Sequence, residues 1–132
     1  MKLIILAVTV LLTQQIPKHN PNGIWLAQSG SEYEIRLTGS DLRVRMVPGS
    51  NPKFLRYELD MKNLEEVNTY RGTGFLVAKM NNGKECKLTT EWQFVVVSND
   101  RIIGSGENIV ADQETCAVRE KTPIQLDLKR KK

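Results

Sequence analysis

Tyr70-Arg-Gly-Thr-Gly-Phe-Leu-Val-Ala-Lys-Met80-Asn-Asn-Gly-Lys84-Glu-Cys-Lys-Leu-Thr-Thr-Glu-Trp-Gln-Phe-Val-Val-Val97 is the stretch whose reading decides the fold. It reads as one long β-hairpin, Tyr70 to Met80 and Lys84 to Val97, turning on Asn81-Asn82-Gly83. Asn-Gly between two apolar-rich runs predicts a tight turn, and a type I′ turn would hold both central residues at positive φ. In the outgoing arm Cys86, Leu88, Thr90, Trp92, Phe94 and Val96 share one face, and Lys87, Thr89, Glu91 and Gln93 share the other. That period of two belongs to a half-buried strand. Gly72 and Gly74 in the incoming arm predict a bulge, a sharp coil or a close approach of another segment. A long coiled hairpin is what a closed sheet requires.

Working outward, the same alternation recurs on both sides. Gly23 to Gln28 opens the first strand. Tyr33, Ile35 and Leu37 alternate with Glu32, Glu34, Arg36 and Thr38, and Leu42, Val44 and Met46 alternate with Arg43 and Arg45. Short links between them imply antiparallel neighbours. After the Pro48 to Pro52 loop, Lys53 to Met61 reads as a strand with Leu55, Tyr57, Leu59 and Met61 on one face and Phe54, Arg56, Glu58 and Asp60 on the other. Residues 62–68 read as a single helical turn. Beyond the hairpin, Arg101 to Ser105 and Glu107 to Ala111 flank Gly106 as short strands. Cys116 to Glu120 and Ile124 to Leu128 follow, broken around Thr122-Pro123. The expected fold class is all-β, a small antiparallel up-and-down β-barrel of about 8–10 short strands, with a β-sandwich as the alternative.

The ends are read separately. Met1 to Leu12 carries one lysine and an apolar run from Leu3, shorter than the roughly twenty residues a membrane helix needs. It matches the first part of a secretory signal peptide, assigned to residues 1–13 although no Ala-x-Ala cleavage pattern follows; a buried first strand is the competing reading. Residues 14–22, with Pro17 and Pro21, read as a linker. Residues 23–128 form one domain, and Lys129-Arg130-Lys131-Lys132 a basic, solvated tail. The 132 residues carry a formal charge of +4 from 19 basic and 15 acidic side chains. With Lys2 and the tail set aside the body is near-neutral, so it offers no broad basic face for nucleic acid. The tail could attract anionic surfaces weakly.

Cys86 and Cys116 are the only cysteines. In an exported chain an even count predicts a disulfide, and closing that loop would stabilise by roughly 3–4 kcal/mol. The competing reading is two separate buried thiols. The chemistry-bearing residues are sparse. His19 is the only histidine and falls in the linker, so a nucleophile–base pair is not expected. Glu32, Glu34, Glu65 and Glu66 read as solvated carboxylates rather than a hydrolytic pair. Arg71-Gly72-Thr73-Gly74 lies inside a strand and does not open a helix, as a phosphate loop would. No enzyme activity, metal or cofactor is expected.

Gly23-Ile24-Trp25, opening the first strand of an expected barrel, resembles the Gly-x-Trp signature of lipocalins and the wider calycin group. The resemblance implies that Trp25 plugs the closed end and that a basic residue from a late strand packs across it, with Lys129 or Arg130 the nearest candidates. The chain departs from that family in being shorter and in lacking a C-terminal helix and a Thr-Asp-Tyr after a mid-chain strand. An ordinary core tryptophan is the other reading of Trp25. The expected function is a secreted or periplasmic barrel that holds a small apolar ligand against Trp92, Phe94, Leu88, Tyr57 and Met46. Those side chains could equally fill the interior. The alternative function is a protein-binding or inhibitor module acting through loops 47–53 and 98–100.

Overall fold

The computed structural model describes residues 19–132. The signal-peptide reading of residues 1–13 and the linker reading of residues 14–18 lie outside the described residues. The chain runs through β1 (Gly23–Ala27), β2 (Glu32–Thr38), β3 (Asp41–Met46), β4 (Phe54–Asn63), β5 (Thr69–Lys79), β6 (Glu85–Ser98), β7 (Arg101–Ala111) and β8 (Val118–Arg130). Each strand pairs antiparallel with the next, and β8 returns to β1, closing an up-and-down barrel. Residues 64–68 form turns, not the helical turn expected there. A segment that short forms too few helical hydrogen bonds to offset its nucleation cost.

The decisive hairpin forms from Thr69 opposite Val95 to Lys79 opposite Glu85. Its turn is not type I′, because Gly83 has φ of 86° and Asn82 is not at positive φ. Instead Gly83 N–H donates to the Met80 carbonyl at 2.9 Å, and Met80 N–H to Lys84 at 2.8 Å. This is the three-residue loop in which only the last residue needs a left-handed backbone. Gly72 and Gly74 mark a close approach of neighbouring backbone. A Cβ on Gly74 would lie 1.7 Å from the Glu58 carbonyl oxygen, and one on Gly72 would lie 2.0 Å from that of Asp60. The two glycines let β5 coil tightly over β4, and the sheet curls shut there.

The inward face follows the predicted alternation. Ile35, Leu42, Val44, Leu59, Met61, Tyr70, Phe94, Val96, Ile102 and Leu128 are all essentially buried. Phe54 breaks the pattern. A bulge between Phe54 and Arg56 changes the register, Leu55 is left 41% exposed, and Phe54 packs edge-on to Tyr57 at 5.6 Å. A bulge flips which residues face the core, so the simple alternation read Phe54 on the wrong side.

The basic end also differs from expectation. β8 includes Lys129 and Arg130, and Lys131 N–H donates to the Ile24 carbonyl at 2.8 Å. Arg130 lies over the Trp25 ring at 4.5 Å. Its guanidinium donates to the carbonyls of Asn99, Asn22 and Asn20, each at 2.6 Å. Trp25 is fully buried and donates from Nε1 to the Pro21 carbonyl at 2.8 Å. A Cβ on Gly23 would meet the Arg130 guanidinium at 2.8 Å. Lys131 pairs with Glu32 at 2.9 Å. Much of the expected solvated tail is thus part of the barrel's shut end. Pro21, expected in the linker, is buried beneath Trp25. His19, expected to be solvated, is partly buried.

The barrel is closed by unequal lengths of ladder. β6 and β7 pair only from Gln93–Ser105 to the turn, although β6 begins at Glu85 and β7 runs on to Ala111. β8 meets β1 only at Leu128 to Arg130. Residues 106–125 therefore form a two-stranded ribbon that pairs with itself, continuous through Gly106 and Pro123. A strand with one free edge tolerates proline, which is why the break expected at Thr122-Pro123 does not occur. Cys86 and Cys116 form a disulfide with Cα atoms 5.4 Å apart, tying the ribbon's tip to the start of β6. Asn82 Nδ2 donates to the Gln113 carbonyl at 3.2 Å, and Lys84 donates to that of Glu114.

Asp112 organises the ribbon's turn. Its carboxylate accepts the backbone N–H of Thr115 at 3.0 Å and of Glu114 at 2.9 Å, and it pairs with Arg119. Those donors hold its pKa down at about 2. A carboxylate depressed in the folded state stabilises fully above its unfolded pKa of about 3.9 and loses that contribution as pH falls through the folded value. The amide shifts of Glu114 and Thr115 should therefore titrate with a midpoint near 2. Asp112→Asn should abolish the titration; a midpoint near 4 in the parent chain would contradict the assignment.

Candidate functional site

The barrel holds an open-mouthed cavity of about 710 Å³. Binding pockets for small molecules run from roughly 300 to 1,000 Å³. Each strand from β2 to β8 contributes to the wall. Tyr33, Val44, Phe54, Tyr57, Leu59, Leu76, Leu88, Trp92 and Phe94 line it, together with Ile109, Ala111 and Ile124 of the ribbon and Leu126 of β8. The rim is formed by the β1–β2, β3–β4 and β5–β6 loops, with Ser29, Asn51 and Asn81 among its residues. The structure brings together four of the five side chains singled out in the sequence: Trp92, Phe94, Leu88 and Tyr57. Met46 is buried in the core and is not part of the lining.

Polar side chains share the lining, among them Ser31, Asn51, Asn108, Gln125 and the Tyr57 hydroxyl. Trp92 Nε1 donates to the Tyr57 hydroxyl at 3.0 Å, across a sequence separation of 35 residues. Burial pushes the Tyr57 phenol up to about 12, outweighing the stabilisation of its ionised form by neighbouring Thr90 and Trp92. Burial also raises Tyr33. Both phenols are neutral at physiological pH. Thr90 is buried beside the Tyr57 hydroxyl and does not line the cavity itself.

Trp92 has a second role in shaping the site. Its ring lies against Gly106, where a Cβ would fall 2.2 Å from the indole. The position is where β6 and β7 part, and Trp92 also lines an outer cleft of about 410 Å³ with Arg71, Glu91, Gln93, Ser105 and Glu107. The indole thus stands between the cavity and the gap in the wall. The glycine that reads in sequence as a strand break is instead the seat of this side chain.

Charge lies toward the rim. Lys53, Lys79, Glu107 and Asp127 are the ionisable acids and bases along the cavity. Asp127 is held by Arg101 in a two-pronged pair at 2.9 and 3.1 Å, which lowers its pKa. Among the described residues no three of His, Cys, Asp and Glu gather as metal ligands would. Of the carboxylates weighed in the sequence, Glu32 pairs with Lys131 and Glu34 with Arg36. The loops considered for protein binding are engaged within the chain. The Asn99 carbonyl accepts from Arg130, Ser50 Oγ donates to Val47, and Asn51 donates to Ser31 at 2.7 Å.

Sequence reasoning missed Tyr33, Phe54, Leu59, Leu76 and the ribbon residues. Tyr33 and Leu59 lie on faces already read as inward, so they were within reach. Phe54 needed the bulge, and the ribbon needed the disulfide partnership.

No family model matches the sequence, and no curated protein or solved structure matches it significantly.

Proposed function

We propose that the chain is an extracytoplasmic, non-enzymatic β-barrel that binds a small apolar molecule in its cavity. One observation carries the reading: an apolar chamber of about 710 Å³ stands inside a barrel with one end shut by Trp25 and Arg130. A chamber that merely completed a core would be packed with side chains. The disulfide supports an oxidising compartment. The placement of Gly23, Trp25 and Arg130 is consistent with a calycin-like barrel.

Titration with the uncharged probe N-phenyl-1-naphthylamine tests this. The expected result is saturable, one-site fluorescence enhancement at micromolar concentration, about −8 kcal/mol. Leu88→Trp, which projects a larger side chain into the chamber, should abolish the signal while the protein still melts cooperatively. Enhancement that never saturates, or that survives Leu88→Trp unchanged, would overturn the reading.

A further inference from the structure

The mouth of the cavity carries unmatched positive charge. Four side chains along the lining are charged at neutral pH: Lys53, Lys79, Glu107 and Asp127. Each acid is answered by a base from outside the lining. Arg101 holds Asp127 at 2.9 Å, and Lys121 lies 3.9 Å from Glu107. Neither lysine enters an ion pair among the described residues. Glu85, in register with Lys79 on β6, makes no ion pair with it.

The fold sets the two lysines side by side. Lys53 ends the β3–β4 loop, Lys79 ends β5, and Lys79 N–H donates to the Lys53 carbonyl at 2.9 Å. Like charges opposite one another on antiparallel neighbours repel. Both side chains are exposed, so their ammonium groups stay hydrated at the mouth. A single anion between them would relieve the repulsion and pair with both. Inward, the wall changes character. Leu59, Leu76, Leu88 and Phe94 are buried, and a charge among them would lose its hydration without a partner. The cavity therefore accepts an anion at its mouth and apolar surface within.

Granting the ligand-binding reading above, we infer that the guest is an amphiphile, with one anionic head group seated at Lys53 and Lys79 and an apolar tail lying along the buried wall. Lysine meets such a head as a point charge, so the site selects the sign of the charge rather than the identity of the acid.

Competition against bound N-phenyl-1-naphthylamine, using ten-carbon chains that differ only in the head group, tests the assignment. The chains are decanoate, 1-decanol and decyltrimethylammonium, each kept below the concentration at which it forms micelles. Decanoate should displace the probe at a concentration roughly five-fold lower than decyltrimethylammonium. Raising sodium chloride from about 0.05 M to about 0.5 M should erode that advantage. The double variant Lys53→Gln, Lys79→Gln should weaken decanoate by about the same factor while leaving 1-decanol and the probe unchanged. Equal competition by the anion and the cation in the parent chain, or decanoate affinity untouched by the double variant, would overturn the inference and leave the binding reading intact. An equal loss for decanoate and 1-decanol would give the lysines a structural role and overturn it too. Absence of probe binding altogether would overturn both readings.

Discussion

Replacing both cysteines, Cys86→Ala with Cys116→Ala, should cost about 3–4 kcal/mol and lower the melting temperature by roughly 10–20 °C. The bond spans a sequence separation of 30, so cutting it returns a long loop's freedom to the unfolded chain. The folded consequence is local. Residues 106–125 pair only with one another, so their tip is held to the barrel by the disulfide and by exposed hydrogen bonds from Asn82 and Lys84. Exposed polar contacts of that kind contribute little. Hydrogen exchange should therefore show the amides of 106–125 losing protection first, with β2 to β5 following only on global unfolding. A melting temperature within about 2 °C of the parent would contradict the account.

Trp25→Ala should be as damaging, at about 3–5 kcal/mol by urea denaturation. The indole is fully buried, donates to Pro21 and carries the Arg130 guanidinium on its face. Its removal leaves a void and frees an arginine that links three backbone carbonyls from two segments. Trp25→Phe, which keeps a ring but loses the donor, should cost about 1–2 kcal/mol. Arg130→Met should also destabilise, and the Trp25→Phe, Arg130→Met pair should deviate from additivity because the residues touch. Additive losses, or an arginine substitution without effect, would return residues 129–132 to the role of a solvated tail.

The central hairpin was legible because its signals are local: an Asn-Gly turn and a run of alternating side chains. The closed barrel followed from successive short links. What escaped the sequence depends on partners far apart in the chain. Arg130 meets Asn20 across a sequence separation of 110 residues, so a charged run that reads as solvent-facing instead caps a tryptophan. Gly106 and Pro123 are ordinary strand breakers, yet they sit in a ribbon with free edges where neither breaks anything. Phe54 turned inward through a bulge that alternation cannot reveal. The existence of the chamber was the least readable feature. It depends on how Ala78 and Ala111 at the wall leave volume that Leu88, Trp92 and Phe94 do not fill. Pattern distinguishes inside from outside, but not a full interior from a hollow one.

A methyl and indole NMR titration with N-phenyl-1-naphthylamine tests the central claim most directly. The account predicts shifts at the methyls of Leu59, Leu76 and Leu88 and at the Trp92 indole, all on the chamber wall. Leu26, Leu55 and Val97, exposed on the outer surface, should stay unmoved. Shifts confined to those outer residues, or no shifts at all, would contradict a ligand site within the barrel.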